Sequence, residues 1–386
     1  MMLLVAIVVL SISFVLARPE YPEARTIGNN VESFDELSGR FAALAEEKGA
    51  EYAFDVLRIA QLPPQTDMHL LGHVVGDMLY EQQGVGGIAV CTQDFRNACS
   101  HAMVIGALTE YGGESALSLI RDACTRAPGG TGAYTMCYHG LGHGVFAYYG
   151  YSLPETIAFC KQTGTETYHH QEYVECVGGA IMELTGGGGH DTEAWEEARR
   201  RYLTHPLSPC MDPIMPDEVK SMCLTYLTPE IWASVGISLG QPQPALFEKA
   251  FEHCDAIPHT QQQLRDACYG GFGKEFVPIA GERDVRHIDQ LTDEQYEKAA
   301  SWCRMARETD GQQACLGQAV ASIFWGGEND PGGALRFCAL SGGEELQRAC
   351  FESLAIEIQR YVIPEKQKEL CGRFPQSMQS VCYEAL

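Results

Sequence analysis

No cysteine stands before residue 91 of this 386-residue chain, and none of its sixteen cysteines sits in a C-x-x-C or C-x-x-C-H spacing. That excludes zinc ribbons, thioredoxin-like redox motifs and covalent haem attachment. Beyond residue 17 no apolar run approaches the roughly 18 residues a transmembrane helix needs. Positive charge is scarce: 27 Lys and Arg face 51 Asp and Glu, a net charge of −24. Such a field repels nucleic acid and anionic lipid, which excludes both as partners, and it attracts cations or basic partners. Alternating polar and apolar runs of strand length are missing too, so no sheet is expected. Hydrophobic residues still make up 45% of the chain, enough to build a core.

Residues 1–17, MMLLVAIVVLSISFVLA, are almost wholly apolar and end in a small-residue pattern at Ala17. Arg18-Pro19-Glu20 then breaks any continuing helix. The segment reads as a signal peptide, with an uncleaved N-terminal anchor as the alternative. A secreted or periplasmic location follows. There, an even cysteine count reads as a disulfide framework.

The cysteines fall in consecutive pairs: Cys91 with Cys99, Cys124 with Cys137, Cys160 with Cys176, Cys210 with Cys223, Cys254 with Cys268, Cys303 with Cys315, Cys338 with Cys350, and Cys371 with Cys382. The second members recur every 32 to 47 residues or so, the range of helix-pair repeats. Aligned on that cysteine, CSHAMVIGALTEYGG, CYHGLGHGVFAYYGY, CVGGAIMELTGGGG, CYGGFGKEFVPIAG and CLGQAVASIFWGG each read as a short Gly- and Ala-rich helix, A. Each ends in a glycine turn, as a C-cap requires. Segments such as SALSLIRDAC and PALFEKAFEHC then form helix B, with apolar residues three and four apart. A disulfide staples the end of B to the start of the next A. DMHLLGHVVGDMLYEQQG has the same form with Asp67 in the cysteine's place. Before it, Ser33 and Glu36 predict a capping box, Gly49 a stop, and a second helix follows to Pro63-Pro64. The expected fold is all-α: an α-solenoid of stacked helix-turn-helix repeats over 67–386, stapled by sequential disulfides and preceded by a helix pair at 18–66.

ACSHAMVIGALTEYGG, with Cys91 ahead of Cys99, resembles the secreted cysteine-rich Sel1-like branch of the tetratricopeptide-like repeat proteins. The resemblance lies in architecture, over roughly residues 67–386. It implies a superhelix with a concave groove for a protein or peptide partner, usually without catalysis.

The sharpest chemical signal is histidine. His69, His101 and His139 stand at plus two from the aligned position in three successive A helices, and His73 and His143 at plus six. Plus two and plus six lie at roughly 200° and 240° on the helical wheel, opposite the staple and on one face. Such an i, i+4 pair is a two-ligand unit for Zn, Cu or Fe. Helices about 8–10 Å apart would let His101 complete a site with either flanking pair. His69 and His139 lie two helices apart, which argues against one ion for all five. The alternative is a set of polar residues that bond neighbouring backbone and line a groove.

Other signals are weaker. Glu183, Glu230, Glu275 and Glu357 recur at plus seven, on the staple side, where bonds to helix termini or water are expected. Gly236-Ile237-Ser238-Leu239-Gly240 matches a nucleophile elbow but lacks a strand before it. Gly186–Gly189 reads as a turn, and His169-His170 as an exposed loop pair. Two functions remain open: a secreted binding scaffold, or a metal- or haem-dependent protein such as an oxidoreductase or metal carrier.

Overall fold

The computed structural model describes residues 21–186, 191–238, 242–326 and 329–386. The signal-peptide reading of residues 1–17 lies outside them, as do parts of the elbow-like motif and of the glycine run. The chain is 75% helix, with no strand among the described residues.

The α-helices run α1 Phe34–Lys48, α2 Ala50–Ile59, α3 Met68–Gln83, α4 Ala98–Tyr111, α5 Gly113–Cys124, α6 Gly130–Tyr148 and α7 Leu153–Lys161. There follow α8 Gln171–Gly186, α9 Thr192–Tyr202, α10 Lys220–Tyr226, α11 Thr228–Ser234, α12 Phe247–Asp255 and α13 Gln262–Ala280. The last are α14 Asp293–Cys303, α15 Thr309–Gly326, α16 Gly332–Ala339, α17 Glu344–Tyr361, α18 Pro364–Gly372 and α19 Gln379–Ala385. The helices that follow the aligned position pack in chain order: α3 on α4, then α6, α8, α10, α13, α15, α17 and α19.

All eight expected cysteine pairs are disulfides. Cys91 is bonded to Cys99, Cys124 to Cys137, Cys160 to Cys176 and Cys210 to Cys223. Cys254 is bonded to Cys268, Cys303 to Cys315, Cys338 to Cys350 and Cys371 to Cys382. Their Cα atoms lie 5.3 to 5.7 Å apart, the usual span for a bridge. Asp67 takes over locally where the cysteine is missing. Its carboxylate accepts from Leu70 N at 3.0 Å and caps α3.

Two local readings meet different outcomes. Gly49 stops α1 at a φ of 97°, as a C-cap glycine does. The capping box forms only in half: Ser33 Oγ accepts from Glu36 N, but the Glu36 carboxylate bonds Glu32 N instead of Ser33 N. A complete box is found at Thr292 and Gln295, ahead of α14.

A further regularity recurs three residues before the second cysteine. Arg265 Nη1 donates to the carbonyls of Asp255 and Ile257 at the end of α12. Gln312 Nε2 does the same to Arg304 and Ala306, Gln347 to Ala339 and Gly342, and Gln379 to Gly372 and Phe374. The last carbonyls of a helix have no partner within it. Each of these side chains supplies one, beside the disulfide that joins the same two helices.

The inner side of the helix stack is bridged. The segment after α13 reaches back to the N-terminal helices: Arg283 pairs with Asp67 at 2.6 Å, and Arg286 Nη1 donates to the carbonyls of Leu57 and Ala60 at 3.0 and 2.8 Å. Val285 joins the apolar cluster of residues 24–145. Arg96 Nη2 donates to Lys274 O at 3.0 Å. Beside these contacts lies a cavity that His69, His101 and His139 line together with Arg96, Lys274 and Val285.

Candidate metal centre

The five predicted histidines are brought together. His69 and His73 project from α3, His101 from α4, and His139 and His143 from α6. His101 is central: its ring centroid lies 5.6 Å from His69, 5.4 Å from His73, 5.5 Å from His139 and 5.7 Å from His143. His73 and His143 also meet, at 5.9 Å, although their helices are not neighbours in the stack. The ligand atoms that converge belong to three of the five, His69, His73 and His101.

Glycine is the reason. A Cβ on Gly140 of α6 would lie 2.5 Å from His101 Cα, so only glycine lets α6 approach α4 this closely. Gly142 and Gly179 do the same between α6 and α8, where a methyl group would collide with the carbonyls of Cys176 and His139. Helices packed backbone to backbone shorten the span their imidazoles must cross.

The ring nitrogens are set by their neighbours. His69 Nδ1 lies 2.8 Å from Phe95 O and must donate to it, which leaves the Nε2 lone pair facing inward. His73 Nε2 sits 3.3 Å from that nitrogen. His143 Nδ1 lies 3.1 Å from Glu183 Oε2, and its Nε2 is buried without a hydrogen-bond partner. His139 Nδ1 is 3.6 Å from Glu175 Oε2, and its Nε2 is 3.4 Å from Met182 Sδ. His101 is 1% exposed, and both of its ring nitrogens lack a hydrogen-bond partner. Ligand atoms of His69, His73 and His101 all fall within 4.8 Å of one another.

His69, His101 and His139 favour the uncharged imidazole. Burial holds His69 down to about 4, against a smaller upward pull from the Phe95 carbonyl. Burial and then the neighbouring imidazoles hold His101 and His139 well below the ordinary range. Neutral imidazole is the ligating form. Burial also pushes the Glu175 carboxyl up to about 7.

Several site residues have no counterpart among those predicted. Met182 and Lys274 stand at plus six, the column that holds His73 and His143, so extending that column would have found them. Lys274 bonds the Glu275 carboxylate and lies 4.6 Å from the Tyr226 ring. Tyr226 packs against His139 with the rings tilted and their centroids 4.6 Å apart. Arg96 stands at minus three, the capping column of the later helices. Glu175 and Tyr226 carry no periodic signal.

The plus-seven glutamates part ways. Glu230 pairs with Arg199 at 2.7 Å, Glu357 accepts from Trp325 Nε1 at 2.9 Å, and Glu183 faces His143. His170 pairs with Glu166 in an exposed loop and stays outside the cluster, as expected.

In comparisons with known proteins, no family model, curated protein or solved structure matches the chain.

Proposed function

We propose that this is an exported metalloprotein: a disulfide-stapled α-solenoid that encloses a transition-metal site built on His69, His73 and His101. One observation carries the reading. His101 is buried with two unpartnered nitrogens, a state that costs about 1–3 kcal/mol per orphaned polar group. Its ring sits where two other imidazoles present ligand atoms within 4.8 Å. A bound ion would take up the lone pair of one of those nitrogens. Imidazole suits Zn, Cu and Fe, and three histidines leave a coordination position open. The carbonyl behind His69 and the carboxylates near His139 and His143 resemble the outer partners that orient metal-binding imidazoles. Five imidazoles packed 4.8 to 5.9 Å apart favour a bare ion over a haem, which needs its faces clear.

The solenoid reading is supported by the ordered stacking, the eight sequential bridges and the capping side chain repeated in the first turn of α13, α15, α17 and α19. Export is supported by the same bridges, and no helix among the described residues is long and apolar enough to cross a membrane. The second reading, a scaffold for a protein or peptide, draws on the Sel1-like resemblance. The bridged inner side speaks less for it. Elemental analysis and an optical spectrum of the native protein separate the two. One tightly held ion per chain fits the metalloprotein, and metal-free protein with no uptake fits the scaffold.

A further inference from the structure

His69, His101 and His139 line a cavity that opens to solvent. The cavity continues away from them between Met136, Val285, Ile288, Trp325 and Tyr361. Around the start of α4 the lining is polar, with Gln93, Arg96 and Asn97. Arg96 lines this cavity and the adjoining one. In later repeats its position caps a preceding helix, but here one Nη2 donor goes to Lys274 O, and a guanidinium has five N–H groups. Among the described residues no carboxylate makes an ion pair with Arg96, whereas Lys274 is neutralised by Glu275. Gln93 is 8% exposed, and its Nε2 has no hydrogen-bond partner. Gly129 packs so closely on that amide that a Cβ would collide with it. Asn97 heads α4 without a side-chain cap, and Arg96 and Asn97 are both left-handed, at φ 52° and 63°. Such conformations cost on the order of 1 kcal/mol per residue and persist where the surroundings enforce them. Among the described residues the one acid lining this cavity is Glu175, beside His139.

We propose that the cavity binds a small monocarboxylic acid. Arg96 and Gln93 hold its carboxylate at the start of α4, and its apolar body lies against Val285, Ile288, Trp325 and Tyr361. The planar guanidinium matches a carboxylate through paired donors. One uncommitted cation balances one negative charge, so a carboxylate is favoured over a phosphate dianion. The helix N-terminus adds to the same field. The inference deepens the metalloprotein reading by placing the acid next to His69 and His101, but the pocket itself is present without a metal.

The test uses the full exported chain, metal-stripped and metal-loaded, titrated calorimetrically with benzoate, neutral benzamide and benzyl phosphate. Benzoate should bind to both forms at least 10-fold more tightly than benzamide. Arg96→Gln should remove that preference while leaving metal content unchanged, and Gln93→Leu should weaken benzoate several-fold. Should Arg96→Gln fail to fold, the benzoate–benzamide ratio of the wild type and the Gln93→Leu loss decide. Equal binding of benzoate and benzamide, binding of neither, or tighter binding of benzyl phosphate overturns the proposal. Failure to take up metal would leave the metal-stripped titration intact, so the two readings fail separately.

Discussion

Arg286 donates to the carbonyl of Leu57 across 229 positions of sequence, at 3.0 Å. The same Nη1 reaches Ala60 O at 2.8 Å, while the Asp284 carboxylate grips the rest of the guanidinium. Leu57 and Ala60 close α2, whose last carbonyls carry the negative end of the helix dipole. A buried cation at that end ties the segment after α13 to the N-terminal helix pair. Arg286→Ala should cost about 2–4 kcal/mol, because two carbonyls and a carboxylate lose a charged partner. Arg286→Lys should recover little of it, since an ammonium lacks the planar fork. Hydrogen exchange checks the location: amides of residues 50–60 should open faster. Unchanged protection there would show that the clasp does not hold the ends together.

The staples make a second expectation. Each bridge closes a loop of 8 to 16 positions, worth about 2–3 kcal/mol in the chain-entropy account. Helix pairs bury their apolar faces mainly against neighbours, so the loss spreads along the array. Reduction should broaden and lower the thermal transition, followed by circular dichroism with and without reductant. A transition of unchanged midpoint and width would mean that the apolar core suffices without the staples.

The cysteine register, the helix pairs and the convergence of five histidines could all be read from spacing, because they repeat. What escaped reading depends on distances between distant helices. No periodic pattern marks Arg286 as a partner of α2, or Arg96 as a neighbour of Lys274. How closely His73 approaches His143 also lay beyond the spacing. A helix spacing of about 8–10 Å is an average, and Gly140, Gly142 and Gly179 bring these helices closer. Glycine at plus three or plus five looks like mere smallness until the facing backbone is known.

Glu357 offers a pH test away from the histidines. Burial pushes its carboxyl up to about 7, against weaker opposing pulls from Arg360 and the Trp325 bond. A carboxyl raised from 4.5 in the folded state contributes stability that is full below 4.5 and lost as pH rises through 7. Glu357→Gln keeps an oxygen for Trp325 Nε1 and removes the titration. The variant should therefore match wild type near pH 4.5 and exceed it at pH 8 by on the order of 2 kcal/mol. Urea melts at the two pH values check the sign. A variant less stable than wild type at pH 8 would show that the carboxylate is well compensated where it sits.

His101 decides between a ligand and a structural histidine, because the two roles predict opposite signs. A structural histidine bonds its surroundings, so its removal destabilises the metal-free fold. His101 bonds nothing through either nitrogen, so burying it costs about 1–3 kcal/mol per unpartnered group. Leucine is close to it in volume and brings no polar atom. His101→Leu should therefore leave the metal-stripped protein as stable as wild type or more so, while abolishing metal uptake. His69→Leu should also abolish uptake, but it strands the Phe95 carbonyl and should destabilise. His139→Leu should reduce uptake least of the three, because His139 stands outside the group whose ligand atoms converge within 4.8 Å. Equilibrium dialysis with Zn²⁺ gives the uptake, and denaturant melts of stripped protein give the stability. If His101→Leu lowers stability and leaves uptake intact, the histidines are packing residues and the metal reading is wrong.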